Sequence, residues 1–168
     1  MPRHAEIKHL PFTQEQMFDL VEKIEDYPIF LPWCVASRIK QRDAKLVVAE
    51  LAIGFKMFRE RFTSRVLLKR PHEIEVHYEN GPFKYLTNKW IFMPDPNGCR
   101  VDFEVDFEFR SQILEAAIGA VFEEAVKRMV NAFEKRAHTI YAKNGPNLAS
   151  ARTPIARRAS GSARRIRQ

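Results

Sequence analysis

The sequence predicts an α+β fold in which one long helix packs on a single antiparallel sheet. Three observations support this prediction. Between residues 35 and 110, apolar and polar side chains alternate with a period of two, and turn-forming residues interrupt the alternation at short intervals. From 112 to 141 the period is that of a helix, without proline and with Gly119 as the single glycine. Two short helical segments precede the sheet.

The first elements are short. Residues 3–9 predict a strand that ends before Pro11. Thr13 followed three positions later by Gln16 predicts a capping box. Apolar side chains then recur every three or four positions, which predicts an amphipathic helix over residues 13–24. A one-turn helix follows near Tyr27 and ends before Pro32.

The sheet is predicted to contain about six to seven strands. Turn signals at residues 43–44, 54, 70–71, 80–82 and 94–98 divide the alternating region into six of them. Short connections imply antiparallel neighbours. In the last strand, five apolar residues from Val101 to Phe109 alternate with four acidic residues from Asp102 to Glu108. One face of the sheet is therefore predicted to be dry and the other wet.

The C-terminal helix is predicted to cover the apolar face of the sheet. Thirty residues over 112–141 give a helix of about 45 Å. A twisted antiparallel sheet can wrap such a helix, which is the helix-grip arrangement. We expect a cavity between sheet and helix, because the sheet cannot close tightly at both ends of the helix. The predicted apolar stripe comprises Leu114, Ile118, Val121, Phe122, Ala125, Met129, Ala132, Phe133 and Ile140.

The charge is unevenly distributed along the 168 residues. Six of the 28 basic residues, all arginines, and none of the 21 acidic residues lie at positions 144–168. Residues 1–143 then carry 22 basic against 21 acidic side chains, so this part is nearly neutral. We predict one domain over residues 1–143 and a disordered basic tail over 144–168, because the tail has almost no large apolar side chains.

Several functional classes lack support in the sequence. Cys34 and Cys99 are too few for a disulfide scaffold, and no apolar run approaches a membrane span. We expect the cytoplasm, with peripheral contact at the inner membrane as an alternative. No phosphate-binding glycine loop, nucleophile elbow or metalloprotease motif is present, and histidines five apart on a strand point to opposite faces. We therefore expect that the protein is not an enzyme and that it binds neither a cofactor nor a metal ion.

Two features of the predicted cavity leave alternatives open. Glu60 and Asn88 fall in phase with inward apolar residues. An inward Glu60 either pairs with a basic side chain at the cavity rim or is a polar handle for an apolar ligand. Residues 27–34 place Tyr27, Phe30, Leu31 and Trp33 in a linker that contains Pro28 and Pro32. This segment either plugs one end of the sheet or forms a lid or membrane-contacting patch.

The predicted ligand-binding residues combine inward strand positions, the helix stripe and the proline-bounded segment. They are Leu31, Trp33, Phe58, Glu60, Phe62, Leu86, Asn88, Trp90, Phe103, Phe107, Ile118, Phe122 and Met129.

Several stretches together resemble a known family. They are DYPIFLPWC (26–34), IGF (53–55), ERFTS (60–64), DFEVDFEFRS (102–111) and FEEAVKRMVNAF (122–133). These are similar to the START-like coenzyme-Q-binding proteins of mitochondria, within the SRPBCC, or polyketide cyclase, superfamily. Bacterial members include the RatA ribosome-association toxins. The pair Trp33 and Cys34 resembles the quinone-binding branch more than the toxin branch.

The resemblance implies the first of three candidate functions. The first is non-catalytic binding of ubiquinone or a related polyprenyl lipid that supports respiration or quinone synthesis. The second is a toxin that binds ribosomal subunits and blocks their association, with the basic tail as a contact for RNA. The same tail would also attract anionic lipid. The third is a polyketide cyclase or aromatase, for which Glu60 and Asn88 are the only inward polar candidates.

Overall fold

The computed structural model describes residues 3–55 and 57–144. The strands are β1 (Arg3–Leu10), β2 (Cys34–Arg42), β3 (Leu46–Phe55), β4 (Phe58–Lys69), β5 (Glu73–Asn80), β6 (Phe83–Asp95) and β7 (Gly98–Phe109). The helices are α1 (Gln14–Glu22), α2 (Tyr27–Phe30), α3 (Gln112–Gly119) and α4 (Phe122–Asn144), with a 3-10 turn at Ile24–Asp26. The predicted tail lies outside the described residues, apart from Asn144 at the end of α4.

The seven strands form one antiparallel sheet in the order β1-β7-β6-β5-β4-β3-β2. This confirms the predicted strand number and the α+β class. Consecutive strands from β2 to β7 are neighbours, whereas β1 pairs with β7 at the far edge. Gly98 permits the close approach there, because its φ is 149° and an added Cβ would lie 2.1 Å from the Leu10 carbonyl oxygen.

Helix α1 begins as the sequence predicts. The Thr13 side chain accepts from the Gln16 backbone, and the Gln16 side chain accepts from the Thr13 backbone, which completes the capping box. Phe18 packs edge-on against Phe92 of β6, with ring centroids 6.0 Å apart. The Tyr141 hydroxyl donates to the Gln16 carbonyl oxygen over 2.7 Å and so links α4 to α1.

The prediction of a single C-terminal helix over 112–141 is wrong, because the segment forms two helices. Helix α3 ends at Gly119, a poor helix former, and a tightened turn follows in which Val121 N donates to Ile118 O over 3.0 Å. The break changes which residues face the sheet. The buried stripe of α4 comprises Phe122, Val126, Val130, Phe133 and Ala137, so the predicted Ala125 and Ala132 lie beside it, half-buried.

The hydrophobic core lies between the inner face of the sheet and the helices α1 and α4. On β7 the buried residues Val101, Phe103 and Phe107 confirm the predicted inward phase. The acidic residues of β7 alternate with them. Three of these acidic residues form salt bridges. Asp102 pairs with Arg100 of the same strand, Glu104 with Arg3 of β1, and Glu108 with Lys84 of β6. No helix in the described ranges is long and apolar enough to cross a membrane.

Candidate functional site

A cavity of about 180 Å³ lies between the inner face of the sheet and the helices. Twenty-two of the described residues line it, and none of them is charged. Strands β3 and β4 contribute alternate positions, in accordance with the period of two. The lining comprises Val21, Ile24, Tyr27, Leu31, Pro32, Cys34, Ala49, Leu51, Ile53, Phe62, Ser64, Val66, Ile74, Val76, Leu86, Asn88, Trp90, Phe103, Val105, Met129, Val130 and Phe133.

One wall of the cavity is aromatic. Trp90 of β6 contacts Phe103 of β7 and Phe133 of α4 edge-on, with ring centroids 4.7 and 4.9 Å apart. Tyr27 approaches Phe133 in the same way at 5.3 Å. Edge-to-face pairs are favourable for aromatic rings and fix their orientations. The wall therefore presents rigid apolar faces to any occupant.

The lining changes in exposure along the cavity. Val66 and Ile74 are buried and enclose the interior, whereas Leu31 and Pro32 are half-exposed at the end of α2. Tyr27 and Phe30 pack on Phe133 of α4. The segment after α1 therefore packs on α4, and Leu31 and Pro32 belong to the cavity lining.

The polar groups of the lining are few, and most have partners. Asn88 Nδ2 donates to the Glu104 carbonyl oxygen over 2.8 Å, and Trp90 Nε1 donates to Asn88 Oδ1 over 3.0 Å. The Tyr27 hydroxyl donates to the Val21 carbonyl oxygen over 2.5 Å, and burial raises its pKa far above the ordinary value. Asn88 is thus an inward amide, as predicted from its phase, with its oxygen and one amide hydrogen used inside the protein.

Both cysteines are free and buried. Burial raises the pKa of the Cys34 thiol to about 11, and the same cause raises that of Cys99 to about 11. Cys34 opens β2 and lines the cavity, although the sequence placed it in the linker before the sheet. The described residues contain no group of three or more His, Cys, Asp or Glu side chains that could hold a metal ion.

Seven of the residues predicted for ligand binding lie together in the lining. They are Leu31, Phe62, Leu86, Asn88, Trp90, Phe103 and Met129. They come from α2, β4, β6, β7 and α4, so the structure brings together positions distant in sequence. Ligand contact at each of them stays a prediction.

The other six predicted residues lie outside the lining. Trp33 has a left-handed backbone with φ 67°, and its ring packs on Phe55 at 5.8 Å. Phe58 and Glu60 lie on β4 between the β3–β4 turn and Phe62, where the β4 lining begins. Phe107 and Phe122 contact each other at 5.3 Å in the solid core, and Ile118 lies on α3, beyond the helix break.

A comparison with known protein families shows the family of this chain. The profile described as polyketide cyclase / dehydrase and lipid transport matches residues 10–134. The chain belongs to this family. It is 39% identical over 137 residues to the ribosome association toxin RatA of Rickettsia prowazekii, across 79% of this chain and 94% of that protein. It is 37% identical over 153 residues to a mitochondrial coenzyme Q-binding protein homologue of Xenopus laevis, across 88% of this chain and 63% of that protein.

Solved structures support the same assignment. The chain is similar to the solution structure of an 18 kDa protein from Caulobacter crescentus, at 37% identity and a TM-score of 0.69, covering 84% of this chain and 99% of the other. It is also similar to a START superfamily protein from Mycobacterium smegmatis, at 15% identity and a TM-score of 0.70, over 83% and 99% of the two chains. The fold is thus the predicted START-like helix-grip fold.

Proposed function

We propose that this member of the family binds ubiquinone or a related polyprenyl lipid in its cavity and does so without catalysis. In this role it supports respiratory electron transport or quinone synthesis. The observation that carries the proposal is the cavity lining, which is apolar and aromatic and contains no charged residue. The similarity to a protein named as coenzyme Q-binding supports the choice of ligand.

The chemistry of the lining favours a neutral ligand. A charged headgroup inside this cavity would lose its hydration without gaining an opposite charge, which is costly. A quinone ring and an isoprenoid chain carry no charge. Each also offers apolar area, which contributes roughly 25 cal/mol per Å² when it is removed from water. Neutral isoprenoid lipids therefore fit this lining better than phospholipids do.

The size of the cavity limits how much of the lipid it encloses. An apolar cavity of about 150 Å³ in another protein holds a benzene molecule. The 180 Å³ here thus has room for one substituted six-membered ring or a comparable length of isoprenoid chain. The remainder of a long polyprenyl lipid would extend beyond the cavity.

The polar lining groups support binding more than catalysis. Acid–base catalysis works best with a group whose pKa lies near the operating pH. Burial moves the pKa values of Tyr27 and Cys34 upward, away from neutrality, and Asn88 does not titrate. These groups give a cyclase reaction no obvious general base.

The first experiment identifies the bound lipid and blocks the cavity. The protein is purified from cells that make ubiquinone. The lipids that it carries are then extracted and identified by mass spectrometry. Ala49 lines the cavity and is buried, so Ala49→Leu should fill much of the free volume. We expect co-purified quinone to fall at least fivefold, while stability stays within about 1 kcal/mol, because the added methyl groups are buried in existing space.

Ala52→Leu provides the matched control. Ala52 lies on the same strand but on the opposite face, opposite the exposed Arg61. This variant should retain the wild-type lipid content. Wild-type protein that carries only mixed phospholipid, or Ala49→Leu protein that keeps its quinone, would count against the proposal.

A second candidate function is binding to ribosomal subunits so that their association is blocked. The similarity to the protein named as RatA favours it, because the match extends over 94% of that relative. The test is a sucrose-gradient profile of ribosomes from cells with and without overexpression. A rise in free subunits at the expense of whole ribosomes is expected under this candidate, and an unchanged profile would remove it. Ala49→Leu in the same assay shows whether the cavity is involved.

A further inference from the structure

Ser64 is a buried hydroxyl in the cavity lining without a hydrogen-bond partner. It is 5% exposed, and its Oγ lacks a partner among the described residues. The protein itself leaves this hydrogen bond unmade, which costs free energy unless an occupant of the cavity supplies the partner. Such groups are rare in native structures, and a ligand that supplies the missing partner is one explanation.

The position of Ser64 on β4 directs its side chain towards the cavity. Phe62, Ser64 and Val66 alternate along the strand and all three line the cavity. Ser64 lies opposite Ala49 on β3 and Tyr78 on β5. The Tyr78 hydroxyl accepts from Phe83 N over 3.1 Å and so has a partner of its own.

The other polar lining groups are engaged within the protein. Asn88, Trp90 and the Tyr27 hydroxyl have the partners described above, and Cys34 Sγ lies 3.8 Å from the Ala36 carbonyl oxygen. Asn88 keeps one amide hydrogen free, but Ser64 Oγ is the buried polar atom of the described lining that has no partner at all. As a hydroxyl it donates to an acceptor, and a quinone ring carries carbonyl oxygens that only accept.

We propose that Ser64 donates a hydrogen bond to a ring carbonyl oxygen of the bound quinone, so that the ligand enters ring first. This inference rests on the proposed function and adds the orientation of the ligand. An isoprenoid chain has no polar atom, so entry with the chain first would leave Ser64 without a partner. The ring matches the volume of the cavity and packs on the aromatic wall of Trp90, Phe103 and Phe133. The chain then extends out of the cavity.

The test compares two variants and two probes. Ser64→Ala removes the hydroxyl, and Ser37→Ala is the matched control, because Ser37 Oγ is also buried without a partner but lies outside the lining. The probes are a ubiquinone with a ten-carbon saturated chain, and decylbenzene, which has the same chain length and no carbonyl. We expect Ser64→Ala to weaken quinone binding about 3- to 10-fold, the usual range for one hydrogen bond. Decylbenzene binding should change less than about twofold, since the only interaction lost is to a carbonyl.

Two further readouts separate a ligand anchor from a structural serine. Without ligand, Ser64→Ala should melt at the same temperature as the wild type or above it, because an unsatisfied hydroxyl has been removed. With quinone bound, infrared spectra should show one carbonyl stretch shifted to lower frequency in the wild type and in Ser37→Ala, and unshifted in Ser64→Ala.

The outcomes distinguish the two proposals. Equal quinone affinity in the wild type and Ser64→Ala, or a lower melting temperature of ligand-free Ser64→Ala, would overturn the assignment of Ser64 and leave quinone binding standing. Wild-type protein that binds neither probe would overturn both proposals.

Discussion

Cys34 shows how burial controls the chemistry of one residue. Its pKa of about 11 leaves roughly a hundredfold less thiolate at neutral pH than an ordinary thiol has. The thiolate is the reactive form, so a buried cysteine of this kind reacts slowly. Because Cys34 also lines the cavity, its reactivity reports whether the cavity is occupied.

We predict that saturating quinone slows the labelling of Cys34 by a thiol reagent at least fivefold. Cys99 is the matched control, because burial raises its pKa to the same value but it lies outside the lining. Labelling of both should rise about tenfold per pH unit up to pH 11, since the thiolate fraction rises in that proportion. Peptide mass spectrometry measures each site. Equal protection of both cysteines would indicate that the ligand stabilises the whole fold instead of covering Cys34.

Ser64 and Trp33 show where prediction of the site from sequence ends. The alternation of inward and outward side chains from Phe62 to Val66 was sufficient to place Ser64 on the inner face of β4. The sequence analysis instead selected Glu60 on the same face, because an inward carboxylate is more unusual. Trp33 was predicted in the site because its type and proline-bounded segment suggested it. Trp33 has a positive φ, and its ring packs on Phe55. The sequence does not reveal such a backbone conformation at a tryptophan, because glycine or asparagine is expected at a positive φ.

At the scale of elements, the strands were predictable and the C-terminal helix was not. Period-two alternation in β7 has one consistent interpretation, and the structure confirms it. The segment from Gln112 to Asn144 has helical period throughout, yet it divides after Gly119. Each half is a good helix by itself, so local pattern does not reveal the break. Its consequence is a change of helical phase that places Phe122 in the core and leaves Ile118 outside the cavity lining.

We predict that Gly119→Ala stabilises the protein by about 0.4–1 kcal/mol. An added Cβ at Gly119 meets nothing within 4 Å, and alanine has the higher helix propensity and the smaller unfolded-state entropy. Urea unfolding measures the change. Gly98→Ala is the contrasting control, because its Cβ would collide with the Leu10 carbonyl oxygen at 2.1 Å, and it should be clearly destabilising. A destabilised Gly119→Ala would mean that the break depends on glycine.

At the scale of the whole molecule, the described part of the chain forms one hydrophobic core. Its buried residues run from Leu10 to Ala137 and come mainly from β1, α1, α4 and the strands β3 to β7. Periodicity and the twist of an antiparallel sheet predicted this arrangement from the sequence, and the family resemblance implied the same fold. The volume of the cavity was not predictable, because it depends on how closely Trp90, Phe103 and Phe133 pack.

We predict that a chain ending at Asn144 keeps its stability to within about 1 kcal/mol, because no residue of the described core is removed. It should also bind the short-chain ubiquinone as the full chain does. The truncation removes six arginines, so any binding to RNA or anionic vesicles should weaken and lose part of its salt dependence. Unfolding midpoints and quinone titrations compare the two chains. A large drop in the midpoint would show that residues 145–168 contribute to the domain.

The pairing of β1 with β7 has a consequence for how the chain reaches its fold. Arg3 lies opposite Asp106, so the first strand finds its partner about a hundred positions later in the chain. Closing so long a loop loses more chain entropy than forming the hairpins between β2 and β7. A high proportion of distant contacts slows folding. During synthesis, β1 waits until nearly the whole sheet has been made, because its partner β7 is the last of the seven strands in the chain.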